Sequence, residues 1–508
     1  MKGWTIMRKR RSVVFLFFLL TMAAALFLCT QAEKQVCMGV KILTEKQQEE
    51  LQADLYEDLS QKILYNGQRA AVDAENITIY IAQNIQPGME PKDLLGNLSF
   101  SDPSYRLYFA PDEAFSDLAA AAAQGHPFKL NIIDNINQCM QYRVIFTTLP
   151  VLRLDGTLMG QTEEGTDVLE GELCLWTPAD PETGRYSVQN STVQWHIRGN
   201  TAAMLDKKSW KLSLKNSNGT NRNLSLVGLG EDDDWILNAM RQDDTKLKEK
   251  LFMDLWNNWS DQTSWNYKMS TGEYVEVVCN SSYSGIYLLQ RRPDQKYYQL
   301  SESDILLKGG NILIPNNPQE AYRVVYSPYE QQDTLCLMEG IRTGSNVSMI
   351  DPDNFLDINL FLQYASAIDN TGFKNIFYLL KNQENSYRLY MIPWDTDMSW
   401  GVVFDSGFVY DYQMSMGKMI SRQEYPFMLQ KYPDLDALMS LRWKELRKSV
   451  LSEDNVQKLL DETQTTLRRS GALTREINHW GPVYENDTVE NLYKFLMERL
   501  RMLDDYYM

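Results

Sequence analysis

Four oxygen-bearing side chains in the C-terminal half of the sequence have the types and spacing of a metal site. Asp369 ends an apolar segment, and Asn375 follows in a loop. Asp395 and Asp397 lie two residues apart in the segment 393–397. Residues two apart in an extended segment point the same way, and carboxylate and amide oxygens are hard ligands that suit Mg²⁺ or Mn²⁺. We therefore predict that Asn375, Asp395 and Asp397 bind a divalent metal.

The order of these residues along the chain indicates a role for Asp369. In protein kinases, a catalytic-loop aspartate precedes a metal-binding asparagine, a hairpin and a metal-binding aspartate. Residues 377–380 and 387–392 have the pattern of two short strands, which would place such a hairpin between Asn375 and Asp395. Asp369 would accept the proton of an attacking hydroxyl, while the metal neutralises charge on a transferring phosphoryl group. A lone aspartate in a turn is usually structural, but the four residues in this order favour phosphoryl transfer.

Basic residues on two predicted strands upstream can reach a phosphate. Residues 193–197 alternate apolar and polar and lead into a turn at Arg198, and 208–214 is a second alternating strand. Lysine or arginine on a sheet beside a glycine turn can contact phosphate oxygens. Arg198, Lys208 and Lys211 are therefore the predicted phosphate-binding residues. Lys208 and Lys211 fall on opposite faces of the strand, and either face can line the cleft.

Two acidic features nearby are interpreted as structural. Residues 246–259 have apolar side chains at helical spacing, and Glu249 is predicted to be an exposed charge on that helix rather than a partner for a lysine. The acidic run 231–234 is predicted to cap a helix or turn and to face solvent. A cation bound by this run is the alternative.

The elements that position these residues follow an α+β order. From about residue 142 onwards, alternating segments joined by short loops predict an antiparallel sheet. The C-terminal half is mainly helical, with helices predicted at 355–368, 434–450, 453–470 and 487–506. We therefore expect a sheet lobe and a helical lobe over residues 146–508, preceded by a small accessory module at 33–145. That module is predicted to contain helices at 39–70 and 114–124 with short strands between them.

Bulk composition excludes several classes of protein. The chain has 508 residues and a formal net charge of −17, so most of its surface repels a phosphate backbone and no nucleic-acid partner is predicted. Its three histidines, at positions 126, 196 and 479, are far apart, which disfavours a zinc hydrolase or a Ser-His-Asp enzyme. The irregular cysteine spacing disfavours a metal cluster.

The N-terminus has the pattern of an export signal. A basic cluster at 8–11 precedes an almost wholly apolar run at 12–29, and residues 1–32 are predicted to be a cleaved signal peptide or an uncleaved signal-anchor. The rest of the chain is therefore expected outside the cytoplasm, secreted or anchored to the membrane by residues 12–29. In that compartment the cysteines that follow the signal can form one or two disulfides or stay unpaired.

Taken together, these segments resemble the spore-coat protein H (CotH) kinase family. The resemblance covers about residues 145–508, and it rests on PWDxD together with the RGN and lysine-rich elements, since no single piece is specific. The matching elements are IRGN (197–200), KKSWKLSL (207–214), GLGEDDDWILNAM (228–240), DDTKLKEKLFMDLW (243–256), SGIYLLQ (284–290), the stretch from Asp369 to Lys374-Asn375, PWDTDMSWG (393–401) and RWKELR (442–447).

The resemblance implies a divergent, two-lobed protein-kinase-like fold. The implied activity uses ATP with Mg²⁺ or Mn²⁺ to phosphorylate Ser or Thr hydroxyls of a spore-coat or cell-surface protein. The resemblance also implies the following roles: Asp369 is the catalytic aspartate, Asn375 and Asp395 bind metal with Asp397 close by, and Lys208 or Lys211 contacts the ATP phosphates.

Two positions depart from the family pattern. Lys248-Glu249 stand where Arg-Asn is usual, and Gln290 stands where Glu is frequent. The second change removes a carboxylate near the expected edge of the nucleotide site, whereas the metal-site residues keep the family pattern.

Two other functions are compatible with parts of the sequence. A non-catalytic surface adhesin or structural coat protein would keep the same fold, and the export signal and the scarcity of ATP outside cells favour it. A carbohydrate-active enzyme would use paired carboxylates, but the lysine-bearing strands would then have no role.

Overall fold

The computed structural model describes residues 41–42, 46, 52–53, 58–85, 97–109, 120–121, 124–163, 165–179, 186–199, 202–310, 317–370, 374–384, 386–403, 407–408 and 424–508. The predicted signal at 1–32 and most of the predicted helix at 114–124 lie outside these residues. Among the helices described, none is long and apolar enough to span a bilayer. The cysteines in the described ranges, at positions 139, 174, 279 and 336, are free thiols.

The N-terminal part of the chain is a β structure. Its strands are β1 (Lys41–Ile42), β2 (Gln52–Ala53), β3 (Ile63–Tyr65), β4 (Gln68–Arg69), β5 (Ala71–Asp73), β6 (Thr78–Ala82), β7 (Leu98–Phe100), β8 (Arg106–Phe109), β9 (Phe128–Ile133) and β10 (Gln138–Thr147). Strands β3, β4 and β7 form a small sheet, and the other seven form a larger one. The short strands predicted for this region are confirmed.

The helix predicted over 39–70 is wrong at the described residues 41–42, 52–53 and 58–70, whereas residue 46 is helical. A single 3₁₀ turn at Ser60–Lys62 is followed by a tight hairpin of β3 and β4. At its tip Asn66 and Gly67 have φ values of 53° and 75°, and a two-residue hairpin turn of this kind requires such left-handed residues. The alternate residues of β3 are buried, as expected for a strand with one inward face.

The central part of the chain is a closed barrel with a filled interior. Its elements are β11 (Val151–Gln161), β12 (Asp167–Thr177), β13 (Ser187–Arg198), β14 (Ser209–Lys215), β15 (Leu224–Ser225), β16 (Glu231–Asp232), β17 (Asp234–Asn238), α1 (Lys248–Ser260), β18 (Gly272–Cys279) and β19 (Ser282–Arg291). The barrel order is β11-β12-β13-β14-β17-β19-β18. The predicted antiparallel pairing holds except between β11 and β18, which are parallel and close the circle. Trp195, Leu212 and Trp235 fill the interior, so the barrel encloses a packed core.

One cluster of buried side chains joins the barrel to the N-terminal sheet and to the C-terminal helices. Tyr80 of β6 stacks on Tyr283 of β19 with ring centres 4.4 Å apart. The Tyr283 hydroxyl donates to Glu276 of β18, and Glu276 pairs with Arg475 of the C-terminal helices at 2.7 Å. The N-terminal sheet, the barrel and the C-terminal helices therefore meet at this point.

The C-terminal part combines a four-stranded sheet with helices. Its elements are β20 (Ile305–Gly309), α2 (Pro318–Ala321), β21 (Tyr322–Tyr326), α3 (Gln331–Arg342), α4 (Pro352–Ala365), β22 (Ile376–Gln383), β23 (Ser386–Pro393), β24 (Val402–Val403), β25 (Gly407–Phe408), α5 (Glu424–Lys431), α6 (Leu435–Lys448), α7 (Glu453–Arg469), α8 (Ala472–Trp480) and α9 (Val489–Tyr507). The sheet order is β21-β20-β22-β23. The four helices and the two strands predicted here are confirmed, whereas α2, α3, α5, α8, β20 and β21 have no counterpart in the prediction. The described chain is thus a mixed α+β fold.

Buried charges join α1 to the segment that precedes α9. The ammonium group of Lys248, at the start of α1, lies 2.9 Å from Asp243 and 2.6 Å from Asp487. All three side chains are shielded from solvent. Two carboxylates and one ammonium group carry a net negative charge in this cluster.

A neighbouring cluster carries the opposite excess. Lys207 and Lys246 both pair with Glu476 of α8, at 2.7 and 3.4 Å. Burial lowers the pKa of Lys207 to about 7. The Lys207 ammonium group contacts the Ile286 carbonyl and Glu476, so this side chain is enclosed between the barrel and α8 instead of extending into a cleft.

Replacing Lys248 tests the contribution of this buried network to stability. Lys248→Met leaves Asp243 and Asp487 buried without their cation, so we expect the free energy of unfolding to fall by about 3–5 kcal/mol. The matched control is Lys494→Met, which removes an exposed pair with Glu490 on α9 and should cost less than about 0.5 kcal/mol. Urea denaturation followed by tryptophan fluorescence measures both. Similar effects of the two substitutions would contradict a stabilising role.

Candidate active site

The hairpin of β22 and β23 brings predicted site residues together. Its strands pair with Ile376 opposite Pro393, so Asn375 and Trp394 lie side by side at its open end. The Trp394 amide donates to the Asn375 carbonyl at 3.0 Å. Asn375 directly precedes the hairpin, and Asp395 follows it with Trp394 in between. The pairing register therefore brings the segments of these two predicted metal ligands next to each other.

Asp369 lies between α4 and β22 and is held by two side chains. Asn375 Nδ2 donates to its Oδ2 at 2.8 Å, and the Lys374 ammonium group contacts its Oδ1. Burial raises the pKa of Asp369, and the charge of Asp395 acts in the same direction, against Lys374. Because Nδ2 of Asn375 is committed to Asp369, the amide oxygen is the atom that can face a cation.

Asn370 belongs to the site but is absent from the sequence-based prediction. Its side chain is buried, and Nδ2 donates to the carbonyls of Asn375 at 3.0 Å and Trp394 at 2.8 Å. One amide therefore connects the backbones of the two predicted metal-binding segments. Its place directly after Asp369 was the available signal, but an asparagine there cannot be told from an ordinary turn residue.

Glu249 is buried, so the prediction of an exposed helix charge is wrong. The residue is 1% exposed, and its Oε2 accepts the Thr396 amide at 2.7 Å and the Thr396 hydroxyl at 3.0 Å. The loop after β23 packs against the first turn of α1 and covers this carboxylate. The partner of Glu249 is therefore the segment 393–397 and not a lysine.

Carboxylates crowd around this loop. Burial raises the pKa of Asp397 well above its usual value, and the charges of Asp395 and Glu249 act in the same direction. Burial also raises the pKa of Glu249 to about 7, with Asp395 adding to the effect. A divalent cation would offset this repulsion.

The donor set fits Mg²⁺ or Mn²⁺. It consists of the Asn375 amide oxygen and the carboxylates of Asp395 and Asp397, and such hard oxygen ligands suit these ions. Across the described ranges, no group of three or more His, Cys, Asp or Glu side chains is arranged to hold a metal by itself. Mg²⁺ usually binds through one or two carboxylates, with waters and substrate phosphates completing its shell.

Two cationic side chains lie beside the ring of Trp394, the residue before Asp395. The guanidinium carbon of Arg198, at the end of β13, and Nζ of Lys308, in β20, each lie 5.8 Å from the ring centre. Burial lowers the pKa of Lys308 to about 8, while the charge of Asp395 opposes this effect. Lys308 is absent from the predicted site, because a single lysine in the strand 305–309 gives no sign in the sequence of what it faces.

The two predicted lysines of the β14 region have other partners. Lys208 donates to the carbonyls of Ala203, at 3.0 Å, and Leu205, and so folds the loop before β14 onto itself. Lys211 pairs with Asp234 of β17 at 3.1 Å. Of the three predicted phosphate contacts, the structure therefore brings Arg198 to the Trp394 loop, and the roles of Lys208 and Lys211 stay predictions.

The acidic run 231–234 does not cap a helix or face solvent as a whole, which corrects that interpretation. Its residues belong to β16, β17 and the turn between them, and Asp232 and Asp233 are buried. Asp232 pairs with Arg291 at 3.1 Å and with Lys296 at 2.8 Å. A cavity of about 410 Å³ opens beside this run, with Asp234 among its lining residues.

The two departures from the family pattern lie in contact with each other. Gln290 Nε2 donates to Glu249 Oε1 at 3.4 Å inside the protein. The pattern that the sequence resembles has an amide at the first position and often a carboxylate at the second. The pair therefore keeps one carboxylate and one amide and exchanges their positions.

The segments that form this site fall within a match to a known protein family. A comparison with protein families matches the CotH kinase protein family over residues 195–503, which is more than half of the chain. The match includes the barrel strand that carries Arg198 and the loops around Asp369 and Asp395. The chain belongs to the CotH kinase family, which indicates a kinase-like function. A search of curated proteins finds no match.

Removing the Asn370 side chain tests its connecting role. Asn370→Ala leaves two carbonyls of the site without this donor, so we expect the free energy of unfolding to fall by about 2–4 kcal/mol. Hydrogen exchange at the Trp394 amide should also become faster. Asn491→Ala removes an exposed bond to the Asn486 carbonyl and is the control. If both variants have the same free energy of unfolding and hydrogen exchange at the Trp394 amide is unchanged, Asn370 does not hold the two segments together.

Proposed function

We propose that this protein is an extracytoplasmic, metal-dependent phosphotransferase. It would move the terminal phosphoryl group of ATP to Ser or Thr hydroxyls of a spore-coat or cell-surface protein. The observation that carries the proposal is the convergence of Asp369, Asn375 and Asp395 at one end of a hairpin, beside Arg198 and Lys308. Oxygen ligands for a metal and cations for phosphates then belong to one site, as phosphoryl transfer requires.

A two-lobed, kinase-like arrangement is part of this proposal. The barrel with α1 would form one lobe, and the four-stranded sheet with the later helices would form the other. The two-lobed arrangement is supported by the fact that the site takes residues from both parts of the chain. Arg198 and Glu249 come from the barrel part, whereas Asp369, Asn375 and Asp395 come from the C-terminal part.

The acidic residues would divide two tasks between them. The Asn375 amide oxygen, Asp395 and Asp397 would hold Mg²⁺ or Mn²⁺, which supplies charge neutralisation for the phosphates when bound. Asp369 would accept the proton of the attacking hydroxyl. The raised pKa of Asp369 supports this assignment, because a carboxylate with a higher pKa is a stronger base.

The basic residues would bind the nucleotide phosphates. Arg198 and Lys308 both lie beside the ring of Trp394, the residue before Asp395, and the charge of Asp395 raises the pKa of Lys308. A guanidinium group can donate two parallel hydrogen bonds to a phosphate, and an ammonium group acts as a compact charge. Lys211, whose partner Asp234 lines the cavity beside β17, is a further proposed contact for the nucleotide.

The location and the acceptor are supported by the sequence. The signal-like pattern of residues 1–32 favours export, with 12–29 either removed or retained as an anchor. The net charge of −17 favours a protein acceptor over a nucleic acid.

Transfer of ³²P from ATP, to a coat protein or to the chain itself, tests the proposal. We expect transfer that depends on Mg²⁺ or Mn²⁺ and that falls roughly 10²-fold or more in Asp395→Ala, because the metal loses a ligand. Asp505→Ala, exposed on α9, is the matched control and should keep wild-type activity. Equal transfer of ³²P by wild type and Asp395→Ala would contradict the proposal. A folded wild-type protein that shows no ATP·Mg²⁺ binding in calorimetry would favour a non-catalytic adhesin or coat component.

Phosphate binding by Lys308 makes nucleotide affinity depend on pH. Its pKa is lowered to about 8, so its charge is present at lower pH and is lost as the pH rises through this value. Calorimetry should show weaker ATP·Mg²⁺ binding above about pH 8. Lys308→Arg should remove this decrease because guanidinium stays charged, whereas Lys458→Arg, exposed on α7, should not. Wild-type affinity that stays constant between about pH 7 and 10 would exclude Lys308 from phosphate binding.

A further inference from the structure

The loop 393–397 holds Asp395 in an unusual backbone conformation. Its φ is 57°, a left-handed value that residues other than glycine keep only where contacts hold them. Before it, the Trp394 carbonyl accepts from Asn370 at 2.8 Å. After it, the Thr396 carbonyl accepts from Ser399 at 2.6 Å. The direction of the Asp395 side chain therefore depends on how the flanking peptide groups are fixed.

Glu249 fixes the peptide group that joins Asp395 to Thr396. Its Oε2 accepts the Thr396 amide at 2.7 Å and the Thr396 hydroxyl at 3.0 Å. Thr396 lies between Asp395 and Asp397 in sequence, so one carboxylate controls the backbone between both proposed metal ligands. The contact joins residues 147 positions apart, from α1 to the loop after β23.

Glu249 is itself held in place. Gln290 of β19 donates to its Oε1 at 3.4 Å. The preceding residue, Lys248, is fastened by Asp243 at 2.9 Å and Asp487 at 2.6 Å. The first turn of α1 is thus fixed on two sides and can act as a rigid support for the loop.

We propose that Glu249 is a positioning residue for the divalent metal. Its carboxylate holds the Thr396 peptide and thereby directs Asp395 and Asp397 towards the same cation. The inference rests on the metal site of the proposed function and adds to it a support from the barrel part of the chain. Partners of metal ligands typically change metal affinity by about 10–100-fold when they are removed.

Mn²⁺ binding to the full-length chain, followed by the EPR signal of free Mn²⁺, tests this role. Glu249→Ala removes the acceptor for both Thr396 donors and should weaken binding by about 10–100-fold. Glu249→Gln keeps an oxygen for Thr396. If the Gln290 amide turns over, the new amide group donates to the Gln290 oxygen, which has no hydrogen-bond partner among the described residues. Glu249→Gln should therefore retain most of the wild-type affinity. Asp254→Asn, on the same helix and paired with Lys250 at 2.7 Å, is the matched control and should bind Mn²⁺ like wild type.

The outcomes separate positioning from other roles. A folded Glu249→Ala variant with wild-type affinity would overturn the proposal, and so would equal losses in the Ala and Gln variants, because charge would then be what matters. If Glu249→Ala does not fold, Thr396→Val removes the hydroxyl donor alone and should produce a smaller loss of the same kind. Wild-type protein that does not bind Mn²⁺ would overturn the metal site and this role together. If wild type binds Mn²⁺ and Asp395→Ala does not, the metal site is established. Wild-type affinity in Glu249→Ala would then count against the positioning role alone.

Discussion

Lys248 is fully buried, and its ammonium group depends on Asp243 and Asp487 for compensation. Burial alone would lower the pKa of Lys248, but attraction by the two carboxylates raises it instead. An uncompensated ion inside a protein costs several kcal/mol, so α1 and the segment before α9 are stable in these positions only together. The neighbouring Glu249 uses the same fixed turn to reach Thr396. The geometry of the site is therefore set by a buried charge and by the register of one hairpin.

Part of the site was predictable because the relevant information is local. Asp369, Asn375 and Asp395 flank a hairpin whose strands have a recognisable pattern, and a hairpin necessarily brings its ends together. Glu249 and Lys308 were not predictable in the same way. Each is a charged residue on a regular element, and such a residue looks the same in sequence whether it faces solvent or another segment. Contacts with distant parts of the chain bury Glu249 and half-bury Lys308.

The fold, like the site, was predictable only where a local sequence pattern determines it. Four of the described C-terminal helices, α4, α6, α7 and α9, follow from their apolar spacing. Closure of the barrel depends instead on the parallel pair β11 and β18, which no local pattern indicates. The hairpin at Asn66-Gly67 is different, because its turn signal is present in the sequence. The four-residue spacing of Leu51 and Leu55 favours a helix upstream, but this periodicity does not extend past the turn at Asn66-Gly67.

The contact between positions 249 and 290 limits which residues can stand there together. Both side chains are buried, and Gln290 donates to Glu249 at 3.4 Å. Two buried carboxylates in contact repel, and one of them must stay protonated. Two amides can instead donate and accept hydrogen bonds with each other. A glutamate at position 290 is therefore compatible with an uncharged residue at position 249, so substitutions at the two positions are expected to depend on each other.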